Sequence, residues 1–299
     1  MSRAQDLIQP DVIARASRLE LVARETVEGF ISGLHRSPFH GLSVEFSQHR
    51  NYAYGDDLKH LDWKVFGKTD RFYIKEYEKE TNVRVYIAVD ASRSMAYGPP
   101  GATKYDYASR LAACLAYLML RQQDAPGLAL FNAAGLRLTP PRTSAAQIHN
   151  IAHALVACAP EGLTDLPSAL TRLAAEAHQK SVVVVISDFF AQIEPVVAAL
   201  RELRQRRHDT IVFQVIDADE TEFPFHHLTR FCDMETTRRV LVEPHFLRAS
   251  YMREFGSFME TLRTECLNAR IDHRTLVTRE PLSVGLASYL ASRRSGGAR

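Results

Sequence analysis

Asp90, Ser92 and Ser94 form an Asp-x-Ser-x-Ser triplet that closes the apolar run Val83, Val85, Tyr86, Ile87, Ala88, Val89. All three side chains offer oxygen, the donor a hard dication such as Mg²⁺ requires. An oxygen cluster just past the end of a buried strand also lies where open α/β sheets bind ligands. Two further oxygens stand at matching places. Asp188 directly follows the apolar run that ends at Ser187, and Thr164 opens a helix within Gly162-Leu163-Thr164-Asp165. Several of these oxygens could bind Mg²⁺, or Mn²⁺, directly and others through water, because Mg²⁺ gives up water reluctantly. Two carboxylates around a dication leave it electrophilic enough to accept one more, from a partner. By itself the triplet also fits a turn in which Asp and Ser cap backbone groups. Thr164 and Asp188 turn the reading toward metal.

Hydrolysis at such a metal needs a general base in addition. Asp165 is the available candidate, though an acid there equally suits the first turn of a helix. No catalytic residue is therefore assigned. Gly98-Pro-Pro-Gly-Ala-Thr-Lys104 imitates a phosphate loop, but Thr103 precedes Lys104 where Gly is needed, and Tyr105 replaces the Mg²⁺-binding hydroxyl. Lys104 is read as the start of the next helix. His149 and His153 have zinc spacing on a helix but lack a third ligand and the intervening Glu. Cys158 and Ser187 carry no nucleophile signature, and His226-His227 reads as structural.

The elements that must position these groups follow from periodicity. Residues 11–34 are helical, 37–70 irregular, 72–80 an exposed strand and 82–90 a buried one. Beyond them come a helix over 105–122, strands over 127–131 and 136–139 around Asn-Ala-Ala-Gly, and a helix over 144–157. A helix over 166–178, a buried strand over 181–187, a helix over 194–207 and a buried strand over 210–216 continue the alternation. A strand over 239–243, helix 245–268, strand 270–277 and a Pro-initiated helix 281–292 complete it. The rhythm predicts an α/β fold: a doubly wound, mostly parallel sheet with an N-terminal helical and irregular extension. Residues 1–80 are read as that extension, packed on a main domain of 81–292, with 293–299 a frayed tail.

Composition narrows the function classes. A net charge of +2 over 299 residues gives no electrostatic case for nucleic acid. Arg204, Arg206, Arg207 and His208 are read as a solvated face. No stretch approaches the roughly 18 apolar residues of a membrane span, and the first ten residues do not form a secretory signal. Four widely spaced cysteines without a Cys-x-x-Cys pair read as buried small hydrophobes in a reducing compartment, so the expectation is a cytoplasmic protein.

In order and context Asp90-x-Ser92-x-Ser94, Thr164 and Asp188 resemble the metal-ion-dependent adhesion site (MIDAS) of von Willebrand factor A domains. Upstream, Arg50-Asn-Tyr52-x-Tyr54-Gly55-Asp56-Asp57, then Leu61-Asp62-Trp63, and on to Glu76 and Glu80, resembles the bacterial domain-of-unknown-function family DUF58. That resemblance implies an A-domain-like fold and a link with MoxR-type AAA ATPases. It implies a non-catalytic, Mg²⁺-dependent protein-protein interaction module, with the ATPase or its client as partner. The alternatives are a metal-dependent hydrolase on the same cluster with Asp165 as base, and a metal-free scaffold. Arg50, Asp56, Asp57 and Asp62 suit an ion-paired loop, or, with the lone Trp63 as aromatic anchor, a docking surface.

Overall fold

The computed structural model describes residues 10–34, 49–51, 73–75, 83–132, 134–163, 165–177, 180–234 and 238–285, with the backbone alone for 30–34, 49–51 and 73–75. In chain order the elements are α1 (Pro10–Leu34), β1 (His49–Asn51), β2 (Tyr73–Lys75), β3 (Arg84–Asp90), a 3₁₀ turn (Arg93–Ala96), α2 (Lys104–Arg121), β4 (Ala125–Asn132) and β5 (Gly135–Thr139). They continue with α3 (Gln147–Ala157), α4 (Leu166–Glu176), β6 (Val182–Ser187), α5 (Ile193–Gln205), β7 (Asp209–Ile216), α6 (Ala218–Glu222), β8 (Thr229–Cys232), β9 (Arg239–Val242), α7 (Pro244–Asn268) and β10 (Asp272–Val277). Two compact units divide the chain, residues 32–82 and residues 1–31 with 83–299. In the smaller, β1 and β2 pair antiparallel with Arg50 opposite Ile74.

The larger unit is built on a six-stranded sheet of order β10-β7-β6-β3-β4-β5, parallel except for the β4–β5 hairpin at one edge. This is the doubly wound arrangement that the strand-helix alternation predicts. Strands β3 and β6 lie side by side in its middle, in register Val85↔Val182 to Val89↔Ile186. Their near-continuous apolar sequences follow from cover on both faces. Val85, Ile87 and Val89 pack with α2 and α3 and with Ala23 and Val27 of α1. Tyr86, Ala88, Val183 and Val185 face α4, α5 and the end of α7. Each fully buried Val or Ile contributes roughly 1.5–3 kcal/mol.

Some expectations need correction. The strand over 239–243 exists as β9 but pairs antiparallel with β8, an element too short and too exposed to show a period, in a hairpin outside the main sheet. Cys232 is exposed and Cys158 half-buried, so only Cys114 and Cys266 behave as core hydrophobes. His208 is buried, with both ring nitrogens lacking partners, while Arg204 and Arg206 pair with Asp209 and Glu202 nearer the surface. Of the expected closing helix, residues 282–285 are helical and the remainder lies outside the described residues.

Candidate functional site

The register of the central strands brings the site together. With Val89 opposite Ile186, the next residues along, Asp90 and Ser187, meet at the carboxyl edge of the sheet. The Ser187 hydroxyl donates to Asp90 Oδ2 at 2.6 Å, and the Ser92 amide donates to Asp90 Oδ1 at 2.9 Å. The hydroxyls of Ser92 and Ser94 lie 3.0 Å apart. Beyond β3 the chain is stitched to the loop before α4, because Arg93 N donates to Gly162 O and Glu161 N to Ala91 O. Thr164, in that same loop, lies outside the described residues.

Asp188 follows β6 and is held from several sides. Its Oδ1 accepts the Phe190 amide at 3.1 Å, and its carbonyl accepts from the buried Gln214 side chain of β7 at 3.2 Å. Next to it the buried Phe189 sits at φ 61°. A bulky residue there costs of order 1–3 kcal/mol and persists only where its surroundings enforce it. The Phe189 amide, bonded to Ser187 Oγ at 2.9 Å, is one such restraint.

One residue of the crevice is not apparent from the sequence. Lys104 does begin α2, behind a capping box of Thr103 and Asp106. Its side chain, however, runs inward and its ammonium lies 2.8 Å from Asp188 Oδ2 and 2.8 Å from Glu220 Oε1. Glu220 is fixed by a second capping box, with Asp217, after β7. The available signal was position alone: Lys104 and Glu220 each stand in the first turn of a helix on the strand-end side of the sheet. Burial works against the ammonium, but Asp188 and Glu220 outweigh it and hold the Lys104 pKa above its ordinary value. Burial raises Glu220 despite Lys104 beside it.

Asp188 and Glu220 thus share one ammonium, and Asp90 stands beside them without one, so the three carboxylates and Lys104 sum to a formal charge of −2 in a buried crevice. Asp90 carries the excess. Fully buried, and bonded only to hydroxyl and N–H groups, it is pushed up to about 7 by burial and then by the charge of Asp188. An all-oxygen donor set with two unbalanced negative charges fits a hard dication, which would displace the proton from Asp90. Asp90, Ser92, Ser94 and, through water, Asp188 would hold it.

Competing residues have other work. Asp165 Oδ1 accepts the Ser168 amide at 3.2 Å as N-cap of α4 and is exposed, away from a buried base's environment. Ser187 is locked between Asp90 and Phe189. His149 Nδ1 lies 3.8 Å from Glu20 Oε2 at the surface. Arg50 is described by its backbone only, and Asp56, Asp57, Asp62 and Trp63 lie outside the described residues.

Sheet order, crossover helices and the cluster at the carboxyl ends of β3 and β6 define an open α/β protein with a strand-end polar crevice. The chain belongs to the family described as "Protein of unknown function DUF58", whose model matches residues 48–257. It is similar to Uncharacterized protein Rv1480 of Mycobacterium tuberculosis, 27% identical over 224 residues, 73% of this chain and 69% of that protein. Among solved structures it is similar to an aerotolerance-related membrane protein from Bacteroides fragilis, at TM-score 0.42 and 16% identity over 70% of this chain and 97% of the other. BatB from Bacteroides thetaiotaomicron gives TM-score 0.43 and 13% identity over 71% and 99%. The SpRpn10 VWA domain gives 0.41 and 10% over 71% and 94%. The sheet order, and not these likenesses, carries the fold assignment. Among the described residues, no helix is long and apolar enough to cross a membrane.

Proposed function

We propose that this protein is a non-catalytic interaction module of the von Willebrand factor A type. It binds Mg²⁺, with Mn²⁺ as substitute, at Asp90, Ser92, Ser94 and Thr164, with Asp188 acting through water. The observation that carries this reading is the Asp90 carboxylate: wholly buried, beside a second acid, adjacent to two paired hydroxyls, and without a cationic partner of its own among the described residues. A metal so held keeps an open position for an acidic side chain of a partner. The MoxR-type AAA ATPase or its client, implied by family resemblance, is the partner this reading names, and the cytoplasm is its setting. The 1–80 segment with Arg50, Asp56, Asp57, Asp62 and Trp63 would add a docking surface.

The capping bond of Asp165 weighs against the hydrolase alternative, since it commits one oxygen of the base that alternative names to the start of α4. Calorimetric titration with MgCl₂ tests the reading, with proton release measured in buffers of different ionisation enthalpy. Mg²⁺ should bind the wild-type chain with proton release and should not bind Asp90→Asn, which preserves shape. Pull-down of the ATPase should then require Mg²⁺ and Asp90. Equal capture in chelator and in Mg²⁺ would remove the metal from the function. Phosphatase or esterase activity abolished by Asp90→Asn would replace binding with catalysis.

A further inference from the structure

A second site lies beside the crevice, on the far side of Glu220. Residues Tyr97, Phe223, Phe225, Phe231 and Tyr251 line a cavity of about 490 Å³. Their rings form a cage: Phe223 stacks on Phe231 at 5.8 Å and 15°, while Phe225 meets both edge-on at 5.2 Å. Tyr251 closes over Phe223 at 4.7 Å. Phe223 holds φ 48°, a costly conformation for an aromatic residue. Arg248 fixes that corner by donating to the carbonyls of Glu222 and Phe223, so its charge is engaged outside the cavity lining.

The cage carries negative charge. Asp219 and Glu254 line it with Glu220. Glu220 is matched by Lys104 and Glu254 contacts Arg253 at 3.7 Å. Among the described residues no cation pairs with Asp219, whose Oδ2 accepts the Tyr97 hydroxyl at 3.1 Å. Burial and then Asp219 raise the Tyr97 phenol, and burial with Glu220 pushes Tyr251 up to about 12, so both rings stay neutral, with Lys104 Nζ 6.0 Å from the Tyr97 centroid. Aromatic faces around an unpaired carboxylate attract a cation on an apolar stem. Guanidinium suits this better than ammonium, because it is planar, stacks on rings and is weakly hydrated. The surroundings favour a protein as its bearer. Val240, which pairs with Phe231, is 54% exposed, and Leu241, Phe246 and Leu247 add apolar surface at the α7 start.

We infer that this aromatic cage is a docking pocket for an arginine side chain of a partner protein, flanked by apolar residues and read by Asp219. The inference does not depend on metal at the crevice.

The test titrates the full chain, in EDTA, with the capped peptide Ac-Leu-Arg-Leu-NH₂ and its citrulline analogue, which keeps the shape without the charge. Binding is followed by amide chemical shifts. Arginine peptide should saturate in the roughly millimolar range expected of a single anchored side chain. Citrulline, Asp219→Asn and Phe231→Ala should each weaken binding roughly three- to thirtyfold, the range of a desolvated cation-aromatic contact. Asp219→Asn retains the Tyr97 acceptor, so it remains informative if Phe231→Ala fails to fold. Equal binding of the citrulline peptide, unchanged affinity in Asp219→Asn, or no saturable shifts at the cage overturns the inference.

Discussion

The ammonium of Lys104 and the carboxylate of Asp188 lie 2.8 Å apart with each side chain 1% exposed, joining the start of α2 to the end of β6 across 84 residues. Such a pair is costly to break from one side, because the remaining charge stays buried without compensation. Lys104→Met keeps the apolar stem and removes the charge, leaving Asp188 and Glu220 unpaired. A loss of about 3–5 kcal/mol at pH 7 is expected in urea unfolding. With Mg²⁺ bound at the proposed site, saturating Mg²⁺ should recover more stability in the variant than in wild type, because the dication would replace the missing charge. An unchanged midpoint, or an equal Mg²⁺ effect in both, would count against the shared-charge account of the crevice.

Acid should weaken the fold through His273. Its Nε2 lies 3.2 Å from Gln214 Oε1, and burial, then Arg263 and Arg274, lower its pKa to about 4. Above about pH 6.5 both folded and unfolded chains hold it neutral, so it makes no difference there. As pH falls below that value the unfolded chain takes up a proton that the folded chain refuses until about 4. Stability is therefore lost across this window, by roughly 1–3 kcal/mol. His208, lowered by burial and then Arg206, acts in the same direction. The unfolding midpoint of wild type minus that of His273→Gln, measured from pH 7.5 to 4.5, isolates the effect; a constant difference would refute it.

Two glycines should respond oppositely to alanine. At Gly127 in β4 an added methyl would meet Pro141 N and Thr139 O at 2.8 Å, both backbone atoms that cannot swing away. Overpacking of this kind costs typically 1–3 kcal/mol. At Gly256, on the exposed side of α7, nothing lies within 4 Å. There alanine should stabilise by about 0.5–1 kcal/mol, from helix propensity and a less flexible unfolded chain. Thermal melts of the two variants decide it, and equal shifts would be inconsistent with the packing described.

Thiol reactivity should follow burial. Cys114 and Cys266 are buried, and burial pushes each up to about 12, so both lack thiolate and access. Exposed Cys232 should react first with an aromatic disulfide reagent in native conditions and half-buried Cys158 more slowly. The two core thiols should appear only on unfolding. Four equal rates in the native protein would contradict the core assignment.

The approach of Asp90 and Asp188 was legible because each directly follows or closes a strand, and strand ends show in apolar runs such as 83–89 and 181–187. Neighbouring parallel strands that end at one edge must bring Asp90 and Asp188 close. Lys104 and Glu220 were not legible in this way. Each looks like an ordinary first-turn residue, and nothing local distinguishes a lysine pointing to solvent from one pointing inward. The β8 strand is not apparent for a related reason, since four residues, two half-buried and two exposed, are too short a run to establish a hydrophobic period.

The sequence alone determined the strand-helix alternation, the central place of β3 and β6, and an oxygen-rich crevice at their ends, because hydrophobic period and chain order are local properties. Tertiary structure decided the charge of that crevice, by carrying Lys104 and Glu220 into it, and assembled the aromatic cage from residues 97 to 251. Charge balance and ring packing depend on distances between residues far apart in the chain, which only the folded backbone sets.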